Sequence, residues 1–330
     1  MAEHPHRTPV ESWFLAHGLP YFVAEERAAA REGLRPRRLT LLVVALAVLG
    51  AVAGVLVWLT PTSETAGPAL WFSVAGLAVL WYAVTALRAR PILGFALSRT
   101  LGSVRYLAPM VSRALPLLLV FVTFLFVNAE AWEMTTNLPF GLLWLTVLMM
   151  FGLAVLFLLV RLPEEVDRVD DEVDDDFIVR ACAGTPLEAA SREVAADPAV
   201  DPQSYAQVSG FERWNLILVL LVIQAVQVLL LSVTVFVFFM LFGSLVMEPE
   251  TQASWIGKDV SDLRNAPVIS SVSVSLMKVS LFLASFSGFY FTVSAVTDDT
   301  YRRQFFSVVE SQLERAVGMR AVYLATRERR

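Results

Sequence analysis

The chain has 330 residues, 56% hydrophobic and 17% charged, with a mean hydropathy of +0.61. That is too apolar for a soluble domain of ordinary composition. The net charge of −5 comes largely from one acidic tract and says little about partners; no nucleic-acid partner is expected, and a single cysteine, Cys182, excludes an intramolecular disulfide.

Six long apolar runs organise the sequence: Leu39–Leu59, Leu70–Leu87, Ala114–Ala131, Phe140–Val160, Trp214–Met247 and Val268–Val296. About 20 apolar residues in a helix cross a hydrocarbon core, and only a helix satisfies the backbone there. The segments before the first run, between the second and third, between the fourth and fifth, and after the sixth carry 6, 5, 5 and 7 arginines. The other connections hold only Lys258 and Arg264. By the positive-inside rule this predicts an all-α, six-span plasma-membrane protein with both termini in the cytoplasm.

Residues 1–38 form a cytoplasmic segment whose aromatic patch (Trp13, Phe14, Leu15, Leu19, Tyr21, Phe22, Val23) is expected to lie in the headgroup region or to dock a partner. The first apolar run is too long for a signal-peptide core, and Arg37-Arg38 before it reads as anchoring rather than an export signal. Residues 39–160 hold the first four spans. The first contains Gly50-x-x-x-Gly54, a small face for close packing within the chain. The basic loop 88–113 faces the inner leaflet, where its five arginines attract anionic lipid at about 1 kcal/mol each.

Residues 161–213 make an acidic cytoplasmic loop. Nine of the thirteen residues from Glu164 to Asp176 are Asp or Glu, with Val166, Val169 and Val173 between them. Such a block is expected to be solvated, with a partner or a divalent cation as alternatives; EF-hand spacing is absent. Thr185-Pro186-Leu187-Glu188 has capping-box spacing and predicts a short helix to about Ala196.

Residues 214–297 hold the last two spans. The fifth run would be roughly 50 Å long as a helix, more than a core of about 30 Å, so it must tilt, kink or project. The connection after it, with Trp255 and Ile256, is expected to fold over the bundle. Residues 298–330 read as an amphipathic helix, with Tyr301, Phe305, Val308, Val309, Leu313, Ala316 and Val317 at helical spacing. It lies on the inner membrane face or packs on another cytoplasmic helix.

Intramembrane polar residues are the place to look for function. Lys278 is the one clear charge, with snorkelling, an internal ion pair and a transport role as readings and Glu130 and Glu133 as its plausible counter-charges. Gln224, Gln227 and Thr234 share a face of the fifth helix as a polar seam, while Ser273, Ser280, Ser287 and Ser294 form a small-residue ridge on the sixth. No catalytic, cofactor-binding or metal-binding set is recognisable: the three histidines (His4, His6, His17) all precede the first span, and no phosphate loop or dinucleotide fingerprint is present.

Four patches resemble a family of actinobacterial multi-pass integral membrane proteins with no assigned activity. They are Trp13-Phe14 with Gly18-Leu19-Pro20-Tyr21-Phe22, Phe126-Val127-Asn128-Ala129-Glu130-Ala131-Trp132, Arg161-Leu162-Pro163, and Tyr301-Arg302-Arg303-Gln304-Phe305-Phe306. The resemblance implies a bacterial plasma-membrane setting and brings no chemistry. The expected function is a non-enzymatic membrane partner or scaffold, in contact with membrane lipids and a protein at the cytoplasmic face. The alternative is a transporter or channel using Lys278, Glu130 and the Gln224, Gln227, Thr234 seam. The oligomeric state is not legible.

Overall fold

The computed structural model describes residues 8–59, 65–102, 119–171, 173–263, 272–297 and 299–328. Among these, every extended element is a helix, and five helices are long and apolar enough to cross a membrane: α3 (Pro36–Leu59), α4 (Ala66–Thr85), α8 (Phe140–Asp171), α12 (Gly210–Val246) and α14 (Val274–Thr297). Most of the third apolar run's first half falls at 103–118, outside the described residues. Its described helical part, 119–126 (α6), is too short to count as a crossing by itself.

The helices differ in how they meet their surroundings. Half or more of the apolar stretch of α12 and of α14 is buried inside the protein, whereas few positions of α3 and α4 are. The bundle is therefore centred on the α12–α14 pair, with α5 (Arg90–Gly102) and α8 against it. Small residues permit that central contact: a Cβ on Gly288 would clash with Ser232 Oγ, so the serine ridge of α14 meets α12 where the backbones approach closely. The α3–α4 hairpin is fastened to itself by Trp71, whose Nε1–H donates to the Leu46 carbonyl at 2.9 Å and whose ring covers Gly50. A Cβ on Gly54, the other glycine of that motif, would meet nothing within 4 Å among the described residues.

At the end carrying both chain termini, three distant parts of the sequence form one assembly. The first is α1 (Pro9–Ala16), started by a Thr8/Glu11 capping box, followed by a 3₁₀ turn at Pro20–Phe22 and α2 (Ala24–Gly33). The second is the end of α8 with α9 (Asp175–Cys182), α10 (Glu188–Ala195) and α11 (Gln203–Ala206). The third is α15 (Asp299–Glu328), whose Leu313, Ala316, Val317, Met319, Val322 and Ala325 are buried. The C-terminal helix thus packs on other helices, notably α9, where Gly318 sits against Ala181. Its Tyr301, Phe305, Val308 and Val309 side chains lie outside what the structure describes.

Several local expectations change. The N-terminal aromatic patch is core rather than interfacial: Phe14, Leu19, Tyr21, Phe22 and Val23 are buried, and Phe14 packs edge-on against Tyr323 of α15 at 6.0 Å. The acidic tract is not a free loop. Residues 164–171 extend α8, where Val166 and Val169, three apart on one helix face, are buried in the assembly core, and Val173, beyond the helix end, is buried there too. Thr185 is held in the turn before α10, its hydroxyl donating to the Cys182 carbonyl that ends α9 and accepting from the Leu187 N–H at 3.3 Å. The helix begins at Glu188 instead, whose carboxylate accepts from the Gly184 N–H.

At the opposite end, α7 (Ala129–Asn137) and α13 (Pro249–Trp255) close the bundle. Asn128 caps α7, and Trp132 is fully buried, donating to the Phe126 carbonyl at 2.7 Å and meeting Trp255 edge-on. The connection after the fifth span does fold over its neighbours.

Candidate functional site

Glu212 lies in the first turn of α12, where carboxylates are favoured by the helix dipole. One of its oxygens accepts from Arg27 of α2 at 2.5 Å, and the other accepts from Arg320 Nε of α15 at 2.6 Å. Arg320 also donates to the Tyr205 carbonyl of α11 at 2.7 Å. Glu212 and Arg320 are only 12% and 13% exposed, so breaking this pair from one side costs more than breaking a surface salt bridge.

One turn on, Asn215 is fully buried and spends its amide on the N-terminal segment. Its Oδ1 accepts from the Tyr21 N–H at 2.7 Å, and its Nδ2 donates to the Gly18 carbonyl at 2.8 Å. Gly18 has φ +72°, a left-handed conformation suited to glycine, and a Cβ there would press on Phe95 at 3.0 Å. The Tyr21 hydroxyl donates to the Leu87 carbonyl at 2.7 Å, beyond α4. Burial pushes the Tyr21 phenol above its ordinary range. The extra length of α12 is used here: its first turns run into the assembly and hold α2, α11, α15 and the Gly18–Tyr21 turn.

Sequence reasoning missed this junction. Glu212 and Asn215 looked like the flank of an apolar run, and their partners are 108 to 197 residues away.

The intramembrane candidates are not gathered into one site. Lys278 Nζ donates to the Thr136 carbonyl at 2.8 Å and the Leu138 carbonyl at 2.6 Å, and lies 4.7 Å from the centre of the Phe140 ring. These are the last carbonyls of α7, which lack intrahelical partners and carry the negative end of its dipole. Glu130 and Glu133 are exposed on α7, and neither pairs with Lys278 among the described residues. Gln224 and Gln227 are buried, and among the described residues the whole Gln224 amide and the Gln227 carbonyl oxygen find no hydrogen-bond partner. Thr234 is exposed and turned back on the Leu230 carbonyl at 2.8 Å, so the seam stops short of it.

Among the described residues, no three His, Cys, Asp or Glu side chains are placed to hold a metal ion. Comparison with protein-family models, with curated proteins and with solved structures returns no match.

Proposed function

We propose that this chain is a non-enzymatic membrane protein whose helical assembly at the termini docks another protein, with the spans serving as anchor. The observation that carries the reading is the Glu212 junction. It fixes elements from both chain ends and from the 161–213 segment on one rigid transmembrane helix, so their outward faces are presented together. Those faces are charged: Asp175, Asp176, Arg180, Arg192 and Glu193 point away from the buried faces of α9 and α10. The arginine distribution supports a plasma-membrane setting with this assembly in the cytoplasm.

The competing reading, transport, rests on one observation, the partnerless Gln224 amide in a membrane-crossing helix. Against it stands the separation of Lys278, Glu130 and Thr234 from the Gln224–Gln227 pair.

Extraction into native lipid nanodiscs, followed by mass spectrometry, tests the proposal. A stoichiometric protein that copurifies with the natural chain and is lost from an Asp175→Ala/Asp176→Ala/Arg192→Ala variant is the expected result. Recovery of the chain alone, together with solute flux in proteoliposomes, would overturn it.

A further inference from the structure

Between α8, α12 and α14 lies a cavity of about 270 Å³. Its back wall is Gly288, Ala284 and Ser232, the close α12–α14 contact, and its sides include Trp144, Phe151 and Phe289. Trp144, Phe151, Leu229 and Val233 on its rim are exposed, so it opens sideways from the spans towards the surrounding hydrocarbon. A dry apolar cavity of about 150 Å³ already admits benzene. A transmembrane helix, about 10–12 Å across with its side chains, does not fit the cavity, whereas a single hydrocarbon chain does.

The cavity lining itself is uncharged, and a charge lies one turn beyond it along α14. On α14, Lys278, Leu281, Ser285 and Phe289 follow one another at spacings of three and four and form one stripe, and on α8 Phe140, Trp144, Val147 and Phe151 do the same. The wall residues of both stripes line the cavity, and the stripes begin at the Lys278 ammonium over the Phe140 ring. Two of the three ammonium protons go to the Thr136 and Leu138 carbonyls. One donor and a full positive charge remain, with no carboxylate paired to them among the described residues.

We propose that this cavity binds one acyl chain of an anionic membrane phospholipid, with the phosphate held at Lys278. The tail supplies the apolar contacts that the open cavity lacks, and the head supplies the counter-charge. The site is independent of the docking reading and stands whether or not a protein partner exists.

The test uses the full chain in phosphatidylcholine vesicles carrying a trace of phosphatidylglycerol with a diazirine in one acyl chain. Photolabelling should concentrate on residues 144–154 and 281–289, above the lipid-facing positions of α3 and α4. Unlabelled phosphatidylglycerol should compete about fivefold better than phosphatidylcholine, the advantage expected of one basic residue beside an anionic headgroup. Ser285→Phe, which fills the cavity from a wall position, should cut the labelling about tenfold. Ala154→Phe serves the same purpose if Ser285→Phe does not fold. Equal competition by the two headgroups, labelling spread evenly over α3 and α4, stronger competition by a free fatty acid, or a cavity found filled by a second protein's side chain would each overturn the proposal.

Discussion

Glu212 and Arg320, 108 positions apart in sequence, meet at 2.6 Å with both side chains largely withdrawn from solvent. The second oxygen of the same carboxylate is taken by Arg27, so one side chain of α12 fixes both ends of the chain. Removing the carboxylate leaves two guanidinium groups facing each other, and breaking a buried pair on one side costs about 3–5 kcal/mol. Partial exposure reduces this to about 2 kcal/mol for Glu212→Gln. Thermal unfolding in detergent should show that loss, and limited proteolysis should release α15 early. Arg320→Gln in the same background should add only the loss of its bond to the Tyr205 carbonyl, because the ion pair is already broken.

Asn215 should matter as much without carrying a charge. Asn215→Leu strands the Tyr21 N–H and the Gly18 carbonyl in a buried site, at about 1–3 kcal/mol for each group. Hydrogen exchange at residues 18–23 should accelerate, while α14 should remain as protected as before.

Gln224 makes the opposite prediction. An amide buried without partners costs about 1–3 kcal/mol by protein mutational data, so Gln224→Leu should leave stability unchanged or raise it. Destabilisation in a thermal unfolding series would mean that the amide is hydrated or bound to something, and would strengthen the transport reading.

Cys182 is buried in α9, and burial pushes its thiol up to about 12, against the smaller opposing influences of Arg315 and Ser191. Maleimide at pH 8 should leave the folded protein unlabelled and modify the thiol only after unfolding. Because the folded state holds the proton more tightly, this thiol's contribution to stability is intact below pH 9 and declines as pH rises from 9 towards 12.

His17 titrates with the other sign. Burial lowers its pKa below 6.5, opposed by the 2.8 Å bond from its Nδ1–H to the Trp13 carbonyl and reinforced by Arg315 and Arg99. Its contribution to stability is present above pH 6.5 and is lost as pH falls through the folded-state pKa, because the unfolded chain takes up the proton first. His17→Gln should flatten the stability profile below pH 6.5.

The helices long and apolar enough to cross a membrane were legible because an apolar run leaves a one-dimensional trace: length and composition identify α3, α4, α8, α12 and α14 without any partner. The assembly at the termini was only half legible. Leu313, Ala316 and Val317 carried their helical stripe openly, whereas Val166, Val169 and Val173 carried the same kind of stripe hidden under nine carboxylates. Glu212 was invisible for a different reason, since nothing near it in the chain foretells Arg27 or Arg320. Lys278 was visible as a charge, but its partners are main-chain carbonyls, which every sequence contains and none advertises.

Docking by the assembled helices is tested most directly in intact cells, with a photoreactive amino acid placed singly at position 176 on α9, at 192 on α10, or at 77 on the exposed face of α4. Irradiation should yield one discrete heavier adduct from positions 176 and 192 and none from 77, with the adduct abolished by Glu212→Gln. No adduct from either α9 or α10, with the chain folded and abundant in the membrane, would contradict the account.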